Sequence, residues 1–190
     1  ISDTGGVIAL ASFRNVYMFN RTSSTPFFNF DLTTLPQLGN ATAIDITSDG
    51  KFIVTCSSMG GVTDSSTILG FSKDSTGIVW RFKVGQVVAG GPGIQGIKMS
   101  GNDSLVIVNT YGGFYVLRTY TGQLLYQGVI NTSSSGTQSP QGISGNGNVI
   151  ATINYSGFVK VYQWNGSTYN LLWQHQEPPG AFFNWMTSVD

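Results

Sequence analysis

An all-β chain of repeated, four-stranded antiparallel units is the fold class this sequence predicts, and three observations predict it. Short apolar or alternating runs are separated by Gly, Asn, Asp and Ser turns, the pattern of antiparallel hairpins. No apolar spacing of 3.6 residues is sustained long enough to specify an amphipathic helix. Laying the hairpins at Ile1, Ile46, Met99 and Ile143 over one another gives a repeat of about 44–53 residues with four strands in each, the spacing of a β-propeller blade. A single such sheet cannot cover its own two apolar faces, so each must pack against its neighbours.

The elements follow in order. The first unit reads as the end of one strand at Ile1, a Ser-Asp-Thr-Gly-Gly turn, the strand VIALAS, a turn at Arg14 and Asn15, the strand VYMFN, and a further strand from Phe27 to Phe30. Leu35 to Asn40 reads as a linker. The second unit opens with TAIDITSDGKFIVTC, Thr42 to Cys56, a strand, a tight turn and a second strand. TILGF and IVWRFKV complete it, after a longer loop at Ser57 to Ser66. A Gly-rich connection at Gly85 to Gly96 leads to the third unit, GIKMS, LVIVN, FYVLR and LLYQGVI. The Ser-rich stretch Asn131 to Pro140 leads to the fourth, QGIS, VIATIN, FVKVYQW and LLWQHQ. The expected unit boundaries are 1–36 with 187–190, 41–85, 94–131 and 139–177, in one domain or a slice of a larger one.

The first unit is split between the two ends. TSVD at 187–190 followed by ISDTGGVIALAS at 1–12 lies over TAIDITSDGKFIVTCS without a gap, placing Asp190 on Asp45, Ile1 on Ile46 and Gly5 on Gly50. Three arrangements are compatible with this: one period of a longer tandem protein, a separate subunit that completes a split strand with a neighbour or with its own other end, or a cut through a larger propeller.

Composition narrows the function classes. Charged residues are 9% of the chain, with a formal net charge of zero, against about 25% charged in ordinary domains. No basic surplus is present to attract a phosphate backbone, so nucleic acid is not an expected partner. No run reaches the length of a membrane-spanning helix. The one cysteine, Cys56, excludes an internal disulfide, and at the end of an apolar strand it reads as a buried small hydrophobe.

An aromatic recurs near the end of each unit, after a turn and two further residues: Phe28 in TPFFNF, Trp80 in TGIVWRF, Tyr126 in TGQLLYQG and Trp173 in STYNLLWQ. This resembles the DGxxY…TGxxxW pattern of the pyrroloquinoline-quinone-like, or quinoprotein-type, propeller repeats, and the resemblance covers nearly the whole chain. The WD-repeat-like pattern fits less well, because no Gly-His or Trp-Asp signature is present. The resemblance implies that Phe28, Trp80, Tyr126 and Trp173 dock neighbouring blades; a sugar-stacking surface is the competing role. It does not carry an activity, since a quinone site needs polarising charged groups that this chain lacks.

Six Asn-x-Ser/Thr sequons, at Asn20, Asn40, Asn102, Asn131, Asn154 and Asn165, form the strongest functional signal. They fall at expected turns, strand ends and linkers, where a glycan clashes with no strand pairing. A glycan coat would also keep so uncharged a surface soluble. Turn chemistry, which favours the same residues, is the competing explanation. The remaining candidates read as structural. Gly91, Gly93 and Gly96 spell GxGxxG but precede a strand rather than a helix. His175, the one histidine, has no nucleophile motif beside it. Asp3, Asp45, Asp49, Asp103 and Asp190 cluster at first hairpins without the spacing of a calcium loop.

The expectation is a secreted or cell-surface, N-glycosylated, non-enzymatic structural or adhesive propeller, a repeating unit of a filament or surface assembly with itself as partner. No cofactor and no metal are expected. A ligand- or carbohydrate-binding module is the first alternative, and a fragment of a quinoprotein-like enzyme the second.

Overall fold

A computed structural model describes residues 1–34, 40–58, 66–84, 93–110, 113–129, 142–153 and 158–176. These residues build four antiparallel sheets, each a run of consecutive strands. Sheet 1 holds β1 (Val7–Ala11), β2 (Asn15–Asn20) and β3 (Phe28–Asp31), followed by a 3-10 turn at Leu32–Thr34. Sheet 2 holds β4 (Asn40–Ile46), β5 (Phe52–Ser58), β6 (Thr67–Ser72) and β7 (Ile78–Lys83). Sheet 3 holds β8 (Ile94–Met99), β9 (Leu105–Thr110), β10 (Gly113–Arg118) and β11 (Leu124–Val129). Sheet 4 holds β12 (Gly142–Ile143), β13 (Val149–Ile153), β14 (Phe158–Trp164) and β15 (Tyr169–Gln176). Residues 187–190, expected to complete sheet 1, lie outside the described residues.

One turn is used four times. In each unit a Ser or Thr backbone N–H donates to the carbonyl five residues on: Ser2 to Val7, Thr47 to Phe52, Ser100 to Leu105 and Ser144 to Val149. The hydroxyl of the same residue accepts the N–H of that later residue. It also bonds the side chain two residues on, Thr4, Asp49, Asn102 or Asn146. The next position needs a left-handed backbone, and Gly5, Gly50 and Gly147 supply it with φ of 63°, 71° and 76°. Asp103 holds it in the third turn with φ 58°, a conformation that costs a non-Gly residue about 1 kcal/mol or more. The laying of Ile1–Ser12 over Ile46–Ser57 thus describes real equivalence of backbone for the turn and the strand after it.

The sheets stack face to face in chain order. One core cluster joins Val16, Met18 and Phe28 of sheet 1 to Ile53, Leu69 and Phe71 of sheet 2. A second joins Phe52, Val54, Ile68 and Trp80 of sheet 2 to Val106, Val108, Tyr115 and Leu117 of sheet 3. A third joins Ile107, Phe114 and Val116 of sheet 3 to Ile150, Tyr162 and Tyr169 of sheet 4. Alternation along each strand makes this possible, because odd and even residues serve opposite neighbours. Each large side chain fully buried in these clusters contributes about 1.5–3 kcal/mol. Among the described residues no core cluster joins sheet 4 to sheet 1.

Two expected boundaries move. Asn40 is the first residue of β4, opposite Ser58, rather than part of a linker. β8 begins at Ile94, so Gly96 lies inside a strand, at an irregularity in its pairing with β9. A glycine inside a strand often marks such an irregularity, which a turn-based reading of Gly-rich sequence mistakes for a loop.

Candidate functional site

The four repeated turns meet at one end of the molecule and are bonded in a row. The Asp3 N–H donates to the Ser48 carbonyl at 3.1 Å, and the Asn102 N–H to the Gly145 carbonyl at 2.8 Å. Between them, the Asp103 carboxylate accepts the Ser48 N–H at 2.9 and 3.0 Å and the Ser48 hydroxyl. One strand position back, Asp45 reaches from sheet 2 to sheet 3. Its carboxylate accepts the Met99 N–H at 2.7 Å and its neighbour Ile46 N–H at 2.9 Å. Burial pushes the Asp45 carboxyl above its ordinary range, opposed by these two N–H groups and by the nearby Lys98.

These turns enclose a pocket of about 420 Å³ lined by Ile1, Asp3, Asp45, Lys98, Asp103 and Ile143, among others. The sequence reading treated its aspartates as turn formers and did not single out Lys98. Their long-range roles carry no local signal, because Asp45 and Met99 are 54 residues apart. The one available clue was positional, since Lys98 stands where the second unit has Asp45. Among the described residues, no group of three His, Cys, Asp or Glu side chains is placed to hold a metal ion.

The outer strands carry the aromatics at one equivalent place. In sheets 2, 3 and 4 the pairing skips a residue next to the aromatic: Trp80 faces Gly70, Tyr126 faces Val116 and Trp173 faces Val161. Trp80 is 8% exposed. Its ring fills a slot between Gly70 of its own sheet and Gly122 of sheet 3, where an added Cβ would come within 2.3 and 2.5 Å of the indole. Its Nε1–H donates to the Thr119 carbonyl of sheet 3 at 2.8 Å. Tyr126 lies against Tyr162 and Tyr169 of sheet 4, and Phe28 packs edge-on against Phe71 of sheet 2. Trp173 differs: it is 50% exposed.

The sequons divide. Asn20, Asn102 and Asn165 are exposed, and Asn40 is half-buried; Asn131 and Asn154 lie outside the described residues. Asn102 and Asn165 accept hydroxyl bonds from their own sequon serines, Ser104 at 2.7 Å and Ser167 at 3.0 Å. Asn146, which heads no sequon, fills the place of Asn102 in the fourth turn and makes the equivalent bonds. Turn chemistry therefore accounts for Asn at 102 without a glycan.

Cys56 is fully buried, and burial pushes its thiol pKa up, which suits packing rather than nucleophilic chemistry. His175 is exposed on β15. Gly93 and Gly96 precede and enter β8, so no helix follows the glycines; Gly91 lies outside the described residues. No helix among the described residues is long and apolar enough to cross a membrane.

No protein-family model matches this chain, and no curated protein matches it.

Proposed function

We propose that the chain is a structural, non-enzymatic, propeller-type unit of an extracellular assembly, N-glycosylated and partnered by copies of itself. The observation that carries this reading is the use made of the polar side chains at the turn end. Asp45 and Asp103 hold backbone of adjacent sheets, and Asp49 closes its own turn through Thr47 and Lys51. Two of the few acidic side chains, Asp45 and Asp103, thus serve to join sheets. The four repeated turns and the stacked sheets suit a propeller blade array, and the exposed Asn20, Asn102 and Asn165 suit glycan attachment.

Peptide mapping after enzymatic deglycosylation in heavy-oxygen water tests the extracellular part. Labelled Asp at positions 20, 102 and 165 is the expected result. Unmodified Asn at all six sequons, in protein from its native source, would overturn the secreted reading.

The pocket among the turns favours a second reading, a ligand-binding module for a small polar molecule such as a sugar. Lys98 and Asp3 supply opposite charges at its wall, and Ile1, Ile46 and Ile143 supply apolar surface. Saturable binding of a monosaccharide panel, lost in Lys98→Ala, would favour this reading over the structural one.

A further inference from the structure

Asn-Gly and Asp-Gly pairs rearrange without an enzyme, because glycine has no side chain to keep its backbone nitrogen away from the preceding side-chain carbonyl. The chain has three such pairs, Asp49-Gly50, Asn146-Gly147 and Asn165-Gly166. Each lies between consecutive strands of one sheet, β4 and β5, β12 and β13, or β14 and β15. In each the side-chain oxygen accepts the backbone N–H two residues on: Lys51 at 3.0 Å, Asn148 at 2.9 Å and Ser167 at 2.9 Å. The group to be attacked is therefore held alike in all three. The nitrogen that attacks it is not.

Gly50 donates its N–H to the Thr47 carbonyl at 2.9 Å, and Gly147 donates to the Ser144 carbonyl at 2.8 Å. Both glycines are buried, and each is packed against the preceding sheet. A Cβ added to Gly50 would come within 2.8 Å of Val7, and one added to Gly147 within 2.7 Å of Leu105. Gly166 differs on every count. It is exposed, and its N–H meets no acceptor among the described residues. No atom beyond its chain neighbours lies within 4 Å of the place a Cβ would take. We infer that Asn165 is a site of spontaneous deamidation, and that the fold protects the two pairs in the repeated turns.

The Gly166 nitrogen bonds to Asn165 Cγ as its proton passes to Nδ2, and the Cγ–Nδ2 bond breaks to release ammonia. A five-membered succinimide ring results. Water then opens it, giving an aspartyl residue where the new bond breaks and an isoaspartyl residue where the original peptide bond breaks. The Ser167 N–H, the Ser167 hydroxyl and the Thr168 N–H, at 2.9, 3.0 and 3.0 Å from Oδ1, stabilise the negative charge that gathers there as the nitrogen adds. The isoaspartyl form carries an extra methylene in the main chain between Trp164 and Tyr169. Those two residues pair at the ends of β14 and β15 with their rings 5.1 Å apart, so the change falls on that hairpin end. Nδ2 is also the atom a glycan occupies in this sequon, so glycosylation and deamidation compete for one nitrogen. The site stands whether or not the extracellular reading does.

The test incubates the folded, full-length chain, made without N-glycosylation, in heavy-oxygen water at mildly alkaline pH, and follows each pair by peptide mapping with fragmentation. Asn165 is expected to convert to labelled aspartyl and isoaspartyl forms at least about fivefold faster than Asn146, the scale of one turn hydrogen bond that must open before Gly147 can attack. In denaturant, where that bond is lost, the two rates are expected to converge. An Asn165 that converts no faster than Asn146 in the folded chain would overturn the inference. So would a gap of the same size in denaturant, since it would then owe nothing to the fold. Native-source protein carried through heavy-oxygen water without the deglycosylating enzyme separates this reaction from glycan removal at Asn165, so the failure of either reading leaves the other standing.

Discussion

Trp80 and Trp173 occupy the same place in two sheets and live in different environments. Both follow the same irregularity in the outer strand, and both face the third strand of their own sheet. Trp80 is closed in by Gly70, by Gly122 and by the Thr119 carbonyl, whereas Trp173 is half exposed. The local rules that place an aromatic on an outer strand are therefore the same in both, and what packs against the ring decides what the aromatic contributes. A sheet in this architecture is completed by its neighbour, not by itself.

The sharpest way to break that comparison is truncation at both sites. Trp80→Ala is expected to cost about 3–5 kcal/mol, the range for a large buried aromatic, with a matching fall in the urea midpoint. Trp173→Ala in dilute protein is expected to cost under about 1 kcal/mol, as for a surface change. Equal losses would mean that the two faces are equally covered.

Filling the slot is the next largest effect. Gly122→Val places a side chain where the Trp80 ring sits and forces it onto a backbone with φ 67°. Overpacking and the strained backbone together are expected to cost about 2–3 kcal/mol, read from thermal unfolding. Val161 already stands opposite Trp173 where Gly70 stands opposite Trp80, so Val161→Gly is expected to cost less than Gly70→Val.

The turn row offers a finer test. Asp103→Ala removes the carboxylate that holds the Ser48 N–H and is expected to cost about 1.5–3 kcal/mol. Asp103→Gly loses the same bonds and relieves the φ of 58°, so it should be the more stable of the two by about 1 kcal/mol. Chemical denaturation of the pair checks the order, and an alanine variant as stable as the glycine one would mean that the left-handed backbone costs nothing there.

The smallest effect is a pH dependence. Burial raises the folded-state pKa of Asp45 above its unfolded value of 3.8. Its contribution to stability is thus fully present below that unfolded value and is lost as pH rises through the raised folded one. Asp45→Asn removes this dependence, so the variant should gain on the parent as pH rises above the unfolded value of 3.8. A flat difference in unfolding free energy across that range would contradict the assignment.

Much of this fold was legible in the sequence, and the reasons are local. Ser-Gly and Asn-Gly turns between β-branched runs mark hairpins, so the four units and nearly every strand could be placed. The aromatic at one position per unit was visible for the same reason. What escaped was what depends on partners far along the chain. Nothing near Asp45 or Asp103 announces that each reaches the next sheet, and nothing in STYNLLWQ distinguishes an uncovered Trp173 from the covered Trp80 of TGIVWRF. Asn40 was assigned to a linker because its pairing with Ser58 is set by the register of β4 on β5, with a shift near Ala41 that no spacing rule predicts. The sequon at Asn102 shows the converse difficulty, since the same residue satisfies both a turn and a glycan signal.

Hydroxyl-radical footprinting, read by mass spectrometry at the individual tryptophans, compares the two sites in one experiment. The account predicts that Trp80 stays unoxidised while Trp173 is oxidised. A Trp173 as protected as Trp80, or a Trp80 oxidised as readily as Trp173, would contradict it.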